Sequence, residues 1–438
     1  MSTQFKDTNK DHATIPQVPS QGFPQSSRPK RGRWLVIATV IFVLAVILGG
    51  SALVLAPVAQ HPGGQVTPTP APTTRPKTPA PGVTPTPGGS DMTPTPAPGV
   101  TLGPQSGPSS VKDLAYWDKI VGTKSGVNHV ESVSFANIMD SPSLQALVMV
   151  RYSGPDATLD VCVYNNITSA KPTQIFKWQG LLKGDAKISG YNTIMTAEVD
   201  KYSALNANKP LSVMKQDLFR EFDWSSAGGT LVQAAFPGLF PDLTRYQAEA
   251  DQRLVSYGQD TWKNNAAKVA QNLAVKLLKW SPSSQVTIQS GGGARDVDAV
   301  VQVRSTAPDH PTINVTLSRL EGNTHNMWVA IAVADGSYMS ITSPHKWDRL
   351  TSPVTVKGTG GAFESDVGSV YVLDHLYNDI GHAKGIPANG GKTTFTATVP
   401  YSASFHGGAQ EGVLAYYTYS QADSSIAGVV MQKVLLSA

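Results

Sequence analysis

Trp34 to Ala56 runs WLVIATVIFVLAVILGGSALVLA without one charged side chain. At about 1.5 Å rise per residue, a helix of that length crosses a hydrocarbon core of about 30 Å. Arg28, Lys30, Arg31 and Arg33 stand directly before the run, and no base follows it until Arg75. The positive-inside rule then keeps the N-terminus in the cytoplasm and puts everything after Ala56 outside. The expected partner of residues 34–56 is the lipid bilayer. Small residues around Ala56 and Ala59 also suit a cleaved signal peptide, but the apolar run exceeds a usual signal core.

The flanks sharpen this division. Residues 1–33 are polar and dotted with Pro16, Pro19, Pro24 and Pro29, which reads as a disordered cytoplasmic tail. Residues 57–110 repeat TPTPAP at Thr67 and Thr93 and hold much of the chain's 32 prolines, so they read as an extended Pro/Thr-rich linker. The net charge of +4 over 438 residues owes most of its excess to positions before 80. Nucleic-acid binding by the folded part therefore lacks an electrostatic basis. One cysteine, Cys162, excludes an intrachain disulfide and a thiolate metal cluster.

From Val111 onward, aliphatic and polar runs alternate. Residues 111–240 read as a β-rich region, with QALVMVRY at Gln145, ATLDVCVY at Ala157 and further runs to Phe236 in the pattern of antiparallel hairpins. Residues 241–337 read as an α+β unit. Leu243, Tyr246, Ala250 and Leu254 suit one helical face, and Trp262 to Trp280 suit a second helix with Asp260 as its N-cap. A meander follows, with Asp298 to Arg304 as its clearest strand and Asp335-Gly336 as a hairpin turn. The element order, helix then meander, is similar to cystatin-like and nuclear-transport-factor-like folds.

The last hundred residues are more specific. Ile341 with Ser343-Pro344, then Ser352-Pro353-Val354, Val356 and Gly358, then Phe363-Glu364, then Leu414 to Ser420 and Val429 to Leu436 resemble, in order and spacing, the bacterial spore-germination immunoglobulin-like domain. That resemblance implies an extracytoplasmic accessory or interaction module at 338–438; it does not imply catalysis. Short strands separated by Gly, Asn, Pro and Ser, with Asn389-Gly390 as one turn, independently suit a small antiparallel β-sandwich. The fold class expected is multidomain: a single transmembrane helix, a disordered Pro/Thr linker, a mixed α+β central region and a C-terminal immunoglobulin-like β-sandwich.

Chemical motifs are sparse. Ser212 and Lys215 fit S-x-x-K, but neither S-D-N nor K-T-G accompanies them. GIPANGGKT at Gly385 has Ile386 where a phosphate loop needs glycine. Glu221 and Asp223 alternate on one strand as a carboxylate pair, and His375 and His382 fall near Asp374 and Asp379. None of these makes a complete set, so no catalytic, cofactor-binding or metal-ligating residue is assigned, and no cofactor is expected. Tyr416, Tyr417 and Tyr419 put aromatic surface on both faces of one strand and are the candidate ligand contacts. The expected function is a membrane-anchored protein, not an enzyme, that binds wall polymer or an envelope protein. The alternative is an envelope hydrolase whose central region is catalytic and is positioned by the final domain.

Overall fold

The computed structural model describes residues 97–321, 326–335, 339–361, 366–388, 393–420 and 422–438. The expected tail, the apolar run 34–56, most of the linker, and the Asp335-Gly336, Phe363-Glu364 and Asn389-Gly390 features lie wholly or partly outside these residues. Among the described residues no helix is long and apolar enough to cross a membrane. They form a mostly β protein of antiparallel, sandwich-like sheets.

The ordered body reaches back into the stretch expected as linker. Gln105 bridges Phe135, the Thr101 N–H donates to Asn137 Oδ1 at 3.0 Å, and the Gly103 N–H donates to Asn192 Oδ1 at 2.8 Å. These bonds to buried amides hold a segment whose own composition would leave it extended.

Helix α1, Leu114–Val121, was not evident from the sequence. Asp113 caps it by accepting from the Ala115 N–H at 3.0 Å, and Gly122 closes it at φ 74°. A first sheet follows in simple meander order: β1 Asn128–Ala136, β2 Gln145–Tyr152, β3 Leu159–Asn165 and β4 Thr173–Leu181. A second meander holds β5 Asp185–Ile188, β6 Ile194–Glu198, β7 Leu218–Ser225 and β8 Thr230–Ala234. The first sheet is covered on both sides, which is why β2 and β3 read as continuous apolar runs. Leu147, Leu159, Val161 and Val163 face the second sheet, while Ala146, Val148, Val150 and Cys162 face Trp117 of α1.

Helix α2, Arg245–Ser256, is capped by Thr244, so Leu243 precedes it. Its buried residues are Ala248 and Val255, and Leu254 is exposed, which rotates the expected apolar face. Asp260 does not cap the next helix: it sits at φ 48° before a 3₁₀ turn, Thr261–Asn264. Asn265 is the cap of α3, Ala266–Leu277, because its extended backbone lets Oδ1 accept from the Lys268 N–H at 3.0 Å.

The rest of the chain adds β9 Gln285–Gly291, β10 Asp298–Arg304, β11 Thr312–Ser318, β12 Val329–Ala334, β13 Ser340–Ser343, β14 Arg349–Leu350, β15 Val354–Thr359, β16 Ser369–Leu373, β17 Asp379–Ala383, β18 Thr394–Val399, β19 Ala409–Tyr419 and β20 Ile426–Ser437. Strands β9 to β12 form the meander, with α3 packed across it through Val269, Ala270 and Leu273. The sheet does not stop there. It continues β12-β20-β19-β16-β17, with Val333 opposite Met431 and with β14 parallel to β20. The division expected at 337/338 therefore lies within one hydrogen-bonded sheet.

Strands β13, β15 and β18 form a separate sheet over β16, β19 and β20. Val356, Phe395 and Val399 meet Val370, Leu414, Tyr416 and Val434 in this sandwich. The other face of β19 and β20 presents Val413, Ala415, Tyr417 and Met431 to the core under α3. Both strands are thus buried on both sides.

The first sandwich is bonded to β19. Gln233 of β8 pairs with both backbone groups of Ala409, at 2.8 and 3.0 Å, and Arg220 Nε donates to the Ala409 carbonyl at 3.0 Å. Lys433, 1% exposed, donates to the carbonyls of Gly238 and Leu243 and lies 3.3 Å from Glu411.

Candidate functional site

A groove of about 700 Å³ opens where the end of α3 meets the edge formed by β16, β17 and β19. Four tyrosines line it: Tyr371 on β16, Tyr377 in the following turn, and Tyr417 and Tyr419 on β19. Alternation along β19 sends residues 417 and 419 to the same face, and β16 is paired to β19 so that Tyr371 lies opposite Ala415. Tyr371 and Tyr417 meet edge to face with centroids 5.4 Å apart at 74°, and Tyr417 and Tyr419 are tilted by 36° at 6.5 Å. The Tyr419 and Tyr371 hydroxyls are joined at 3.1 Å.

The turn between β16 and β17 owes its shape to Asp374. Its Oδ1 accepts from the Leu376 and Asn378 N–H groups, both at 2.8 Å, which leaves Tyr377 at φ 61°. The Tyr377 hydroxyl donates to the Leu239 carbonyl. Burial holds the Tyr377, Tyr417 and Tyr419 hydroxyls above the usual phenol range, and for Tyr419 the bond to Tyr371 adds to it. All are neutral donors and acceptors at physiological pH.

Cationic groups surround the aromatic floor. Lys276 lies 5.7 Å from the Phe240 centroid and 5.3 Å from that of Trp262, and Lys279 and Lys276 are both on the wall. Lys384 is 5.9 Å from the Tyr371 centroid. Asp379 supplies the opposing charge and is paired with His382 at 2.7 Å. Aromatic faces, hydroxyls and a positive rim can stack on the carbon faces of a sugar or ring and meet anionic substituents beside it.

The three tyrosines expected as contacts separate by face. Tyr416 is fully buried in the sandwich, 4.7 Å from Phe395, and its hydroxyl donates to the Val367 carbonyl. Tyr417 is 7% exposed and Tyr419 37%, and both reach the groove. Tyr371, Tyr377, Phe240 and the lysines were not singled out by sequence, since they come from separate elements.

The other candidates do not converge. Glu221 Oε1 accepts from Arg245 Nε and Thr193 Oγ1, each at 2.7 Å, while Asp223 is exposed on the same strand beyond the cover of α2. His375 is buried 3.6 Å from Asp217, well apart in role from the half-exposed His382–Asp379 pair. Ser212 lies in a 3₁₀ turn of three residues with Lys215 exposed after it. Among the described residues no three His, Cys, Asp or Glu side chains are placed to share a metal ion. A smaller cavity of about 280 Å³ beside Phe405 and His406 contains Glu198, but Arg220 already engages that carboxylate.

No protein-family model matches the chain, and no curated protein matches it. Among solved structures, a C-terminally truncated trimeric ectodomain of the C. elegans fusion protein EFF-1 aligns at 11% identity and a TM-score of 0.14, covering 70% of this chain and 78% of that one. A likeness at that score carries no argument about fold or function.

Proposed function

We propose that this chain is a single-pass membrane protein of the bacterial envelope, anchored through residues 34–56 with its N-terminus in the cytoplasm, whose extracytoplasmic body binds a sugar-containing wall polymer in the tyrosine groove. The observation that carries the reading is the convergence of Tyr371, Tyr377, Tyr417 and Tyr419 under a rim of Lys276, Lys279 and Lys384. The charge-free run and its basic flank support the anchor, and the Pro/Thr segment suits a spacer that lifts the body from the bilayer.

We read 338–438 as immunoglobulin-like. In support, its sheets run β13-β15-β18 against β14-β20-β19-β16-β17, an order that corresponds to the A-B-E and G-F-C-C′ strands of such sandwiches. Its distinguishing feature is the far face, which is covered by the meander and α3 and thereby builds the groove. Removing residues after 337 would strip partners from β12, so a truncation cannot test binding cleanly.

Point variants test it instead. The chain should be retained by isolated cell-wall material, and Tyr371→Ala with Tyr419→Ala should lose that retention while keeping its melting temperature. Equal retention by the variant would remove the groove from the reading. Retention only on envelope protein extract would replace the polymer with a protein partner.

A further inference from the structure

Outside the groove, the buried Asp242 and Lys263 meet the partly exposed Asp251 in a trio that the proposed binding does not use. Asp242, 7% exposed, directly precedes the capping segment of α2, and its Oδ2 receives no hydrogen bond from any N–H or hydroxyl group. Its neighbour is the carboxyl of Asp251 on α2, and two carboxyls in contact at a buried site hold a proton between them. Burial first, then the Asp251 charge, pushes the Asp242 carboxyl up to about 8, so Asp242 is the protonated member at neutral pH.

Lys263 meets the same Asp251 carboxyl. Its Nζ contacts Asp251 Oδ2, and its side chain is 6% exposed against 22% for Asp251. The backbone at Lys263 is pinned, since its carbonyl accepts from the Trp328 N–H at 2.8 Å and its N–H donates to the Asp260 carbonyl at 3.0 Å. Asp260 Oδ2 lies 3.6 Å from the amine but is half exposed, and Trp262 supplies an apolar wall 5.6 Å away. A held amine, a carboxyl within its reach and a protonated acid on that carboxyl are the parts needed to make an amide.

We propose that Lys263 and Asp251 condense to an internal amide, with Asp242 as the acid that promotes the step. Lys263 Nζ passes one proton to the Asp251 carboxylate oxygen that will depart and attacks Asp251 Cγ, forming the N–C bond. Asp242 donates its proton to the departing oxygen and recovers one from the nitrogen. The C–O bond breaks, one water leaves through the exposed side of Asp251, and nothing is oxidised or reduced. The amide ties α2 to the turn before α3, next to Trp262, whose ring lies 5.3 Å from the groove residue Lys276, in a chain whose single cysteine rules out an intrachain disulfide.

Lys433 provides an internal contrast. Its Nζ donates to the Gly238 and Leu243 carbonyls and lies 3.3 Å from Glu411 Oε2, so backbone carbonyls engage the amine there, and among the described residues the pair has no third carboxyl bonded to it in the role of Asp242.

Mass spectrometry of the denatured full-length chain after proteolysis tests the step. A branched peptide joining Asp251 to Lys263, lighter than the sum of its parts by one water, about 18 Da, is expected. Asp242→Asn should restore the two linear peptides while near-ultraviolet circular dichroism stays native, and Lys263→Arg should do the same. Unbranched peptides of full mass in the native chain would overturn the proposal. So would a loss of one water without a branch, which is a succinimide, or a branch mapping to Glu411 and Lys433. A branch surviving in Asp242→Asn would remove Asp242 from the chemistry.

Discussion

Replacing Lys433 with methionine tests how the sheet is joined to the first sandwich. The side chain is 1% exposed, and its ammonium serves the Gly238 and Leu243 carbonyls and the Glu411 carboxylate. Methionine keeps the volume but leaves two carbonyls and one buried carboxylate without their donor. Breaking one partner of such a pair costs about 3–5 kcal/mol, a large part of a domain's usual stability of about 5–15 kcal/mol. The loss should depend on pH. Burial already raises Glu411 from 4.5 to about 7, with the Lys433 charge pulling it down. A carboxyl raised in the folded state stabilises below its unfolded value, and that contribution disappears as pH rises through the folded value. In the native chain this window runs from about 4.5 to about 7. Without Lys433 it extends upward, so the variant should be closest to the native chain near pH 5 and furthest from it near pH 8. Urea unfolding at both values measures this, and adding Glu411→Leu should recover part of the loss. A destabilisation below about 1 kcal/mol, or one indifferent to pH, would refute the argument, since a fully desolvated pair cannot be lost so cheaply.

Asn265→Ala should cost about 1 kcal/mol in thermal or urea unfolding by uncapping α3, whereas Asp260→Ala should lose no comparable cap energy. Tyr416→Phe should destabilise by about 1 kcal/mol through its hydrogen bond to Val367, measured by urea unfolding, with no change in wall retention. Trp117→Ala should cost about 3–5 kcal/mol by emptying the space between α1 and the first sheet, read as a fall in melting temperature. In the native chain, Glu321 at about 7 adds to Glu411, so stability should fall as pH rises from about 5 to 7 in a series of unfolding curves.

Much of the β character was legible because local patterning is strong. Asp298 to Arg304 alternates between buried and more exposed positions and forms a strand at those bounds. Helix α1 is not evident from sequence because it is only eight residues long: Trp117, Ile120 and Val121 follow helical spacing, but about two turns give a short signal beside the Pro/Thr segment. The cap of α3 was misplaced because Asp260 and Asn265 are both good capping types, and only the left-handed backbone at Asp260 decides between them. Long-range pairing was not legible. The contact of β12 with β20 joins Val333 to Met431, and no local pattern announces it. The groove was half legible for the same reason: Tyr417 and Tyr419 stand on one strand, but Tyr371, Tyr377, Phe240 and Lys276 reach them only through tertiary packing. The buried run around Tyr416 and Tyr417 was itself a sign, since a strand apolar on both faces must be covered on both.

The central claim is that the tyrosine groove is the binding surface, and titration calorimetry with soluble wall-polymer fragments tests it most directly. Saturable binding is expected, weakened about tenfold by Tyr419→Ala, in line with about 1.4 kcal/mol for one stacked ring, and unaffected by Tyr416→Phe. Binding that ignores Tyr419→Ala, or no heat with any fragment at millimolar concentration, would contradict it.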